Sequence, residues 1–220
     1  MEPTERRGVM RYQAVLFDFD GTLFDTEHDE MTALSALVTQ ATGVEPPKDK
    51  LLKTFGMTGP DGIRFLGCNE EQAAWVKPRW HEASLNALKT TPVFEGLTEV
   101  IEILHRNGVR LGIVTSRGVS GVDMGLTSRG LTAYFDTIVS QKDTVLHKPH
   151  PDPLIECLKR MDIAPQDAIY IGDSPGDMQA SEAAGMASGL ALWGTHQPGL
   201  PCTYRLAHPR DILTICEVEE

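Results

Sequence analysis

Short unbroken apolar runs alternate along this chain with stretches whose apolar residues recur every three or four positions. The two periods mark different elements. Ala14–Phe17 (AVLF) is too short for a helix and is stopped by Asp-x-Asp-Gly, which predicts a buried strand. Behind it, Met31, Leu34, Leu37, Val38 and Ala41 fall at helical spacing, and Gly43 ends the pattern. Residues 44–91 stay mostly helical in pattern. They are interrupted by Pro46-Pro47, by the turn-rich GMTGPDG at 56–62, and by Pro78, which kinks a helix or separates two. From Gly96 the rhythm changes. A helix carrying Val100, Ile101 and Leu104 ends at RNG, and VRLGIVTS follows as a buried strand. Helix-like stretches at 119–129, 153–161 and 177–184 are each followed by a strand: FDTIVS, AIYIGD and ASGLALW.

Strands alternating with helices predict an α/β fold, a parallel sheet with helices on both faces. The first strand and the four later ones share one core, placed at residues 14–25 and 93–220. The helical block 26–92 is then an insertion after the first strand. It is too long to be a loop and predicts a small helical cap. Residues 1–13 form an N-terminal extension outside this pattern.

Composition narrows the function more than the fold. A chain of 220 residues that is 41% hydrophobic and 23% charged has the make-up of a soluble globular protein. Its net charge of −11 repels nucleic acid and anionic lipid, which makes neither an expected partner. No run reaches the roughly 18 apolar residues of a membrane helix. Residues 1–13 lack the apolar stretch of a signal peptide. The four cysteines, Cys68, Cys157, Cys202 and Cys216, form no CxxC pair and read as reduced thiols in a cytoplasmic protein.

Ligands of open α/β sheets bind beyond the carboxyl ends of the strands, and here each such end carries polar chemistry. Asp18 closes the first strand, Thr115-Ser116 the second, and Asp173 the fourth, with Asp177 just beyond; Lys148 follows the third. Asp18 and Asp20 stand two residues apart, about 6.6 Å along an extended chain and on the same side of it. Like charges that close push each other's pKa values apart, and a hard cation held by oxygen ligands relieves the repulsion, which suits Mg²⁺. Thr115, Ser116 and Lys148 suit the oxygens of a phosphoryl group. A carboxylate can also act as a nucleophile and form an aspartyl phosphate. None of the seven histidines forms a spaced pair suited to zinc. An EF-hand reading of 18–29 fails, because Leu23 stands where the loop needs Gly and Asp29 where it needs Glu.

The order of these motifs resembles the haloacid dehalogenase superfamily, in the branch of phosphoglycolate phosphatases, β-phosphoglucomutases and a bacterial pyrophosphatase. The resemblance covers about 14–195: DFDGTLFDT, the threonine of GIVTS, the lysine of HKPHPDP and the acidic pair of GDSPGD. It implies a Rossmann-like core with a mobile helical cap, and a Mg²⁺-dependent phosphatase acting on a small phosphorylated metabolite, with 2-phosphoglycolate the first candidate. It further implies Asp18 as nucleophile and Asp20 as general acid and base. Asp18, the Asp20 backbone carbonyl and Asp173 would hold the metal, with Asp177 in support. Thr115, Ser116 and Lys148 would bind the phosphoryl oxygens. In the cap, His28 and Arg64 are candidate substrate contacts, Asp25 and Thr26 read as hinge and N-cap, and Trp75 and Trp80 as cap core. The oligomeric expectation is a monomer or weak dimer. A sugar phosphomutase or a pyrophosphatase would use the same core. A phospho-accepting receiver domain shares the Asp, Thr/Ser and Lys but lacks a large insertion after the first strand.

Overall fold

The structure is a computed structural model that describes residues 10–54 and 57–219. Nine residues of the N-terminal extension (1–9), and Gly56 in the turn-rich loop, lie outside the described residues. Six parallel strands form one sheet in the order β3-β2-β1-β4-β5-β6. They are β1 (Ala14–Phe17), β2 (Arg110–Val114), β3 (Thr137–Val139), β4 (Ala168–Gly172), β5 (Ala187–Ala191) and β6 (Tyr204–Leu206). The fold is the Rossmann-like α/β arrangement, and the fifth predicted strand is joined by a sixth at the edge.

The central strands are apolar without alternation because both faces of the sheet are covered. Successive side chains still part to opposite sides. Val15 and Phe17 enter one cluster, with Val100, Ile101 and Leu104 of α5 (Leu97–Arg106) and Val122 and Leu126 of α6 (Val119–Ser128). Leu16 and Tyr170 enter the other, with Leu154, Cys157 and Leu158 of α7 (Asp152–Met161) and Ala180 of α8 (Pro175–Ala183). A last helix, α9 (Asp211–Cys216), adds Ile212, Leu213 and Cys216 to the first cluster. All four cysteines are free.

Between β1 and α5 stand four helices: α1 (Glu27–Thr42), α2 (Lys48–Thr54), α3 (Gly59–Phe65) and α4 (Glu70–Leu88). Gly43, at φ 76°, ends α1 as expected. Asn69 opens α4 with a reciprocal capping box: its side chain accepts from the Gln72 amide, and the Gln72 side chain from its own, both at 2.9 Å. Pro78 lies inside α4 and separates nothing. Leu34, Val38, Leu51, Ile63, Cys68 and Val76 give the four helices a buried cluster of their own. They join the core through two neighbouring segments. Phe24 bridges Val93, and the Asp25 amide donates to the Pro92 carbonyl at 3.1 Å. Among the described residues, no helix is long and apolar enough to cross a membrane.

Candidate active site

Parallel pairing puts the ends of β1, β2 and β4 level, with Phe17 opposite both Ile113 and Ile171. The residues that follow each strand therefore meet. The turn after β1 places Asp18 at its base. Gly21 sits there at φ +74°, and a Cβ on it would lie 2.6 Å from Asp173 Oδ2, so only glycine fits. Thr22 Oγ1 donates to Asp173 Oδ1 at 2.9 Å, tying the turn to the end of β4. A neighbouring turn clamps it from outside. Trp193 Nε1 donates to the Thr22 carbonyl at 3.0 Å, and Gly194 packs so closely that a Cβ there would overlap the Gly21 oxygen.

Among the described residues, Lys148 supplies the ammonium of the buried cluster. With its side chain 3% exposed, it lies 3.0 Å from Asp18 Oδ1 and 2.6 Å from Asp177 Oδ1, and donates to the Tyr170 hydroxyl at 3.0 Å. Oxygens of Asp18, Asp173 and Asp177 all lie within 4.8 Å of one another. The three carboxylates have different surroundings. Asp177 is fully satisfied: besides Lys148, its Oδ2 accepts from the Ser174 hydroxyl at 2.6 Å and the Ser174 amide at 3.0 Å, capping α8. Burial disfavours its charge, yet Lys148 and Ser174 hold its carboxyl below the ordinary value. Asp173 has fewer donors, and burial plus the charges of Asp177 and Asp18 raise it well above the usual range. Burial pushes Asp18 up to about 7, with Lys148 pulling the other way. Lys148 itself is held above its ordinary value by Asp177 and Asp18, against the burial that would discharge it. Excess negative charge from oxygen ligands alone is the environment a hard divalent cation neutralises.

Thr115 is buried at the end of β2, and its Oγ1 accepts from the Arg117 amide at 3.1 Å. Arg117 was not singled out by the sequence reading, yet it organises the far side of the site. Its Nε lies 3.1 and 2.9 Å from the two Asp20 oxygens, and its Nη2 lies 2.5 Å from Asp20 Oδ1. The same Nη2 lies 2.6 Å from Glu30 Oε1 of α1, and Nη1 donates to Ser84 Oγ of α4 at 2.6 Å. Ser84 Oγ donates in turn to Glu30 Oε1 at 2.5 Å. Burial opposes the guanidinium charge, but Asp20 and Glu30 raise its pKa above the ordinary value. One core residue thus ties Asp20 to two of the helices beyond β1. The Thr26 hydroxyl, expected to cap α1, instead donates to Asp20 Oδ1 at 2.8 Å.

A cavity of about 330 Å³ opens over these groups, lined by Asp18, Asp20, Thr115, Ser116, Arg117 and Lys148 on the core side. Asp173 and Asp177 lie beneath, reached through Asp18 and Lys148. The two cap candidates are not brought there. His28 is exposed and outside the lining. Arg64, 53% exposed, pairs with Glu70 at 3.1 Å and Asp61 at 3.7 Å on the outer face of α3. The cap residues that do line the cavity include Glu30, Ser84 and Trp80. Trp80 also packs on the cap cluster, so its reading as core is half of its role.

Fold and site together define a hydrolase class whose model, the haloacid dehalogenase-like hydrolase, matches residues 15–191. The chain belongs to that family and is an enzyme of phosphatase type; the receiver-domain alternative falls away. It is 33% identical over 189 residues to the pyrophosphatase PpaX of Bacillus velezensis, covering 83% of this chain and 84% of that one. It is 31% identical over 188 residues to the phosphoglycolate phosphatase of Xylella fastidiosa, covering 83% and 81%. A crystal structure from Lactobacillus plantarum, provisionally named a phosphoglycolate phosphatase, superposes with a TM-score of 0.84 at 30% identity, over 94% of this chain and 100% of that one.

Proposed function

We propose that this chain is a Mg²⁺-dependent phosphatase that hydrolyses a phosphate monoester through an aspartyl phosphate on Asp18. The observation that carries the reading is the buried set Asp18, Asp173, Asp177 and Lys148 beside Thr115 at one edge of the sheet. The Asp18 and Asp173 carboxylates and the Asp20 backbone carbonyl would hold the metal, with Asp177 fixing Lys148 and the head of α8 rather than the ion. When bound, the metal would neutralise phosphoryl charge and align the Asp18 oxygen. Asp18 attacks phosphorus, and the P–O bond to the leaving group breaks. Asp20 gives its proton to the departing oxygen, then takes one from the water that cleaves the acyl phosphate. Lys148, Thr115 and Ser116 hold the phosphoryl oxygens, the positioning that this transfer chiefly needs. Asp20 must part from Arg117 to reach the leaving group. Residues 26–92 act as the cap whose closure excludes water. The cytoplasm is the proposed compartment, and a monomer or weak dimer the proposed state.

The family resemblance and the name of the Xylella relative make 2-phosphoglycolate the first compound to assay. The PpaX relative makes inorganic pyrophosphate on the same core the second. Phosphate release from each, with Mg²⁺ present, separates the two. Asp18→Asn should lose at least ~10³-fold in turnover while remaining folded, and chelation should abolish wild-type activity. Calcium should inhibit, because its larger and more flexible coordination misplaces the Asp18 oxygen. Undiminished turnover by folded Asp18→Asn, or full activity after chelation, refutes the reading.

A further inference from the structure

The cavity has two chemically different ends. Charged and hydroxyl groups gather where the phosphoryl group would sit. The cap contributes the apolar Met31, Leu34, Met57, Pro60 and Trp80, beside the polar Thr54, Lys77 and His81. Leu34 belongs to the cap's buried cluster, and Met31 and Trp80 pack against it, so the apolar wall is anchored by the cap's own core. Gly59 leaves the Trp80 ring uncovered at a point where a Cβ would approach it to 3.4 Å.

The cations are already committed. Lys148 is matched by Asp18 and Asp177, and Arg117 by Asp20 and Glu30. Arg64 lies outside the cavity with partners of its own. Among the described residues, the basic groups that the cap contributes to the lining are Lys77 and His81, both on its exposed surface. An anionic leaving group would thus meet mostly apolar side chains and, among the described residues of the lining, no buried, uncommitted cation. The volume, about 330 Å³, falls at the lower end of the ~300–1,000 Å³ of sites that enclose a whole organic ligand.

We propose that the leaving group is an alcohol with an apolar body, held against Met31, Met57, Pro60 and Trp80, and that compact substrates whose leaving group is itself anionic, such as 2-phosphoglycolate and pyrophosphate, are poor substrates by comparison. This rests on the phosphatase reading above and specifies its substrate class.

Straight-chain alkyl phosphates from methyl to hexyl test it, because their leaving alcohols differ in apolar length and little in basicity. With Mg²⁺, kcat/KM should rise about fourfold per added methylene until the wall is covered, the ratio equivalent to ~0.8 kcal/mol per buried CH₂. Met31→Gln combined with Met57→Gln should cut that slope by at least half. A flat slope in the wild type, a slope unchanged in the double variant, or 2-phosphoglycolate or pyrophosphate exceeding hexyl phosphate by tenfold overturns the inference and leaves the phosphatase reading standing. Hydrolysis of none of these compounds overturns both.

Discussion

Arg117 offers the sharpest test of how the helices beyond β1 are held on the core. Its side chain is 11% exposed and binds carboxylates that are themselves 19% and 10% exposed, Asp20 and Glu30. Arg117→Met keeps most of the apolar stem and removes the charge. Two partly desolvated carboxylates are then left without their cation, and the Ser84 oxygen loses the donor it accepts from. Breaking a buried pair from one side costs roughly 3–5 kcal/mol. For a chain of 220 residues that is a fall in Tm of roughly 6–20 °C, at about 2–4 °C per kcal/mol. Glu30→Gln costs less, because the amide oxygen can still accept from Arg117 and Ser84. The assay is urea and thermal unfolding of wild type, both single variants and the double variant. Since Arg117 is the shared partner, the two changes should be non-additive by roughly 1–3 kcal/mol. A loss below about 1 kcal/mol for Arg117→Met, or additivity within about 0.5 kcal/mol, refutes the claim that this cluster binds cap to core.

Two further outcomes follow from local geometry. Gly21→Ala must adopt φ +74° and place a Cβ 2.6 Å from Asp173 Oδ2, so it should lower kcat at least ~10-fold and stability by roughly 1–2 kcal/mol or more; steady-state kinetics with unfolding curves check both. Asp143 has burial working against its charge, but bonds from the Ser140 hydroxyl and amide and from Arg160 hold its carboxyl below the ordinary value. A lowered carboxyl pKa adds stability above the unfolded value of about 3.9 that disappears as pH falls through the folded one. Asp143→Asn should therefore be less stable than wild type at pH 7, with the gap shrinking toward pH 3 in unfolding measured across that range.

Much of the sheet was readable because β1, β2 and β4 are apolar runs cut off by polar residues, and that same cut marks where Asp18, Thr115 and Asp173 meet. β6 was not readable. It has three residues, one of them the exposed Arg205, and it is a strand only because β5 lies beside it. Arg117 and Tyr170 escaped notice because their partners come from other elements. A signal for the cap half of the cluster was nonetheless present. Glu30, Leu34 and Val38 share one four-residue stripe on α1, and Val76, Trp80, Ser84 and Leu88 share one on α4. A carboxylate and a hydroxyl standing in apolar stripes announce a buried partner. His28 is two residues from Glu30, about 200° around the helix at 100° per residue, and so belongs to the opposite face. Arg64 follows the buried pair Gly62-Ile63 on α3 and turns outward for the same reason.

The crossing at Phe24–Asp25 and Pro92–Val93 has an evolutionary and engineering meaning. The outgoing and returning backbones are one hydrogen bond apart, and the Phe94 amide reaches back to the Leu23 carbonyl at 3.1 Å. To the sheet, everything between is a single loop whose ends are already joined. Closing a flexible loop of twice the length adds only about 0.6 kcal/mol, so chain entropy alone sets little limit on how many residues are suspended there. Residues can be added where α1 to α4 turn away from the sheet, provided that Glu30 and Ser84 still reach Arg117 and Leu88 still fills the core. The joint, and the turn that Trp193 and Gly194 clamp, can thus stay fixed while the outer part of the insertion varies.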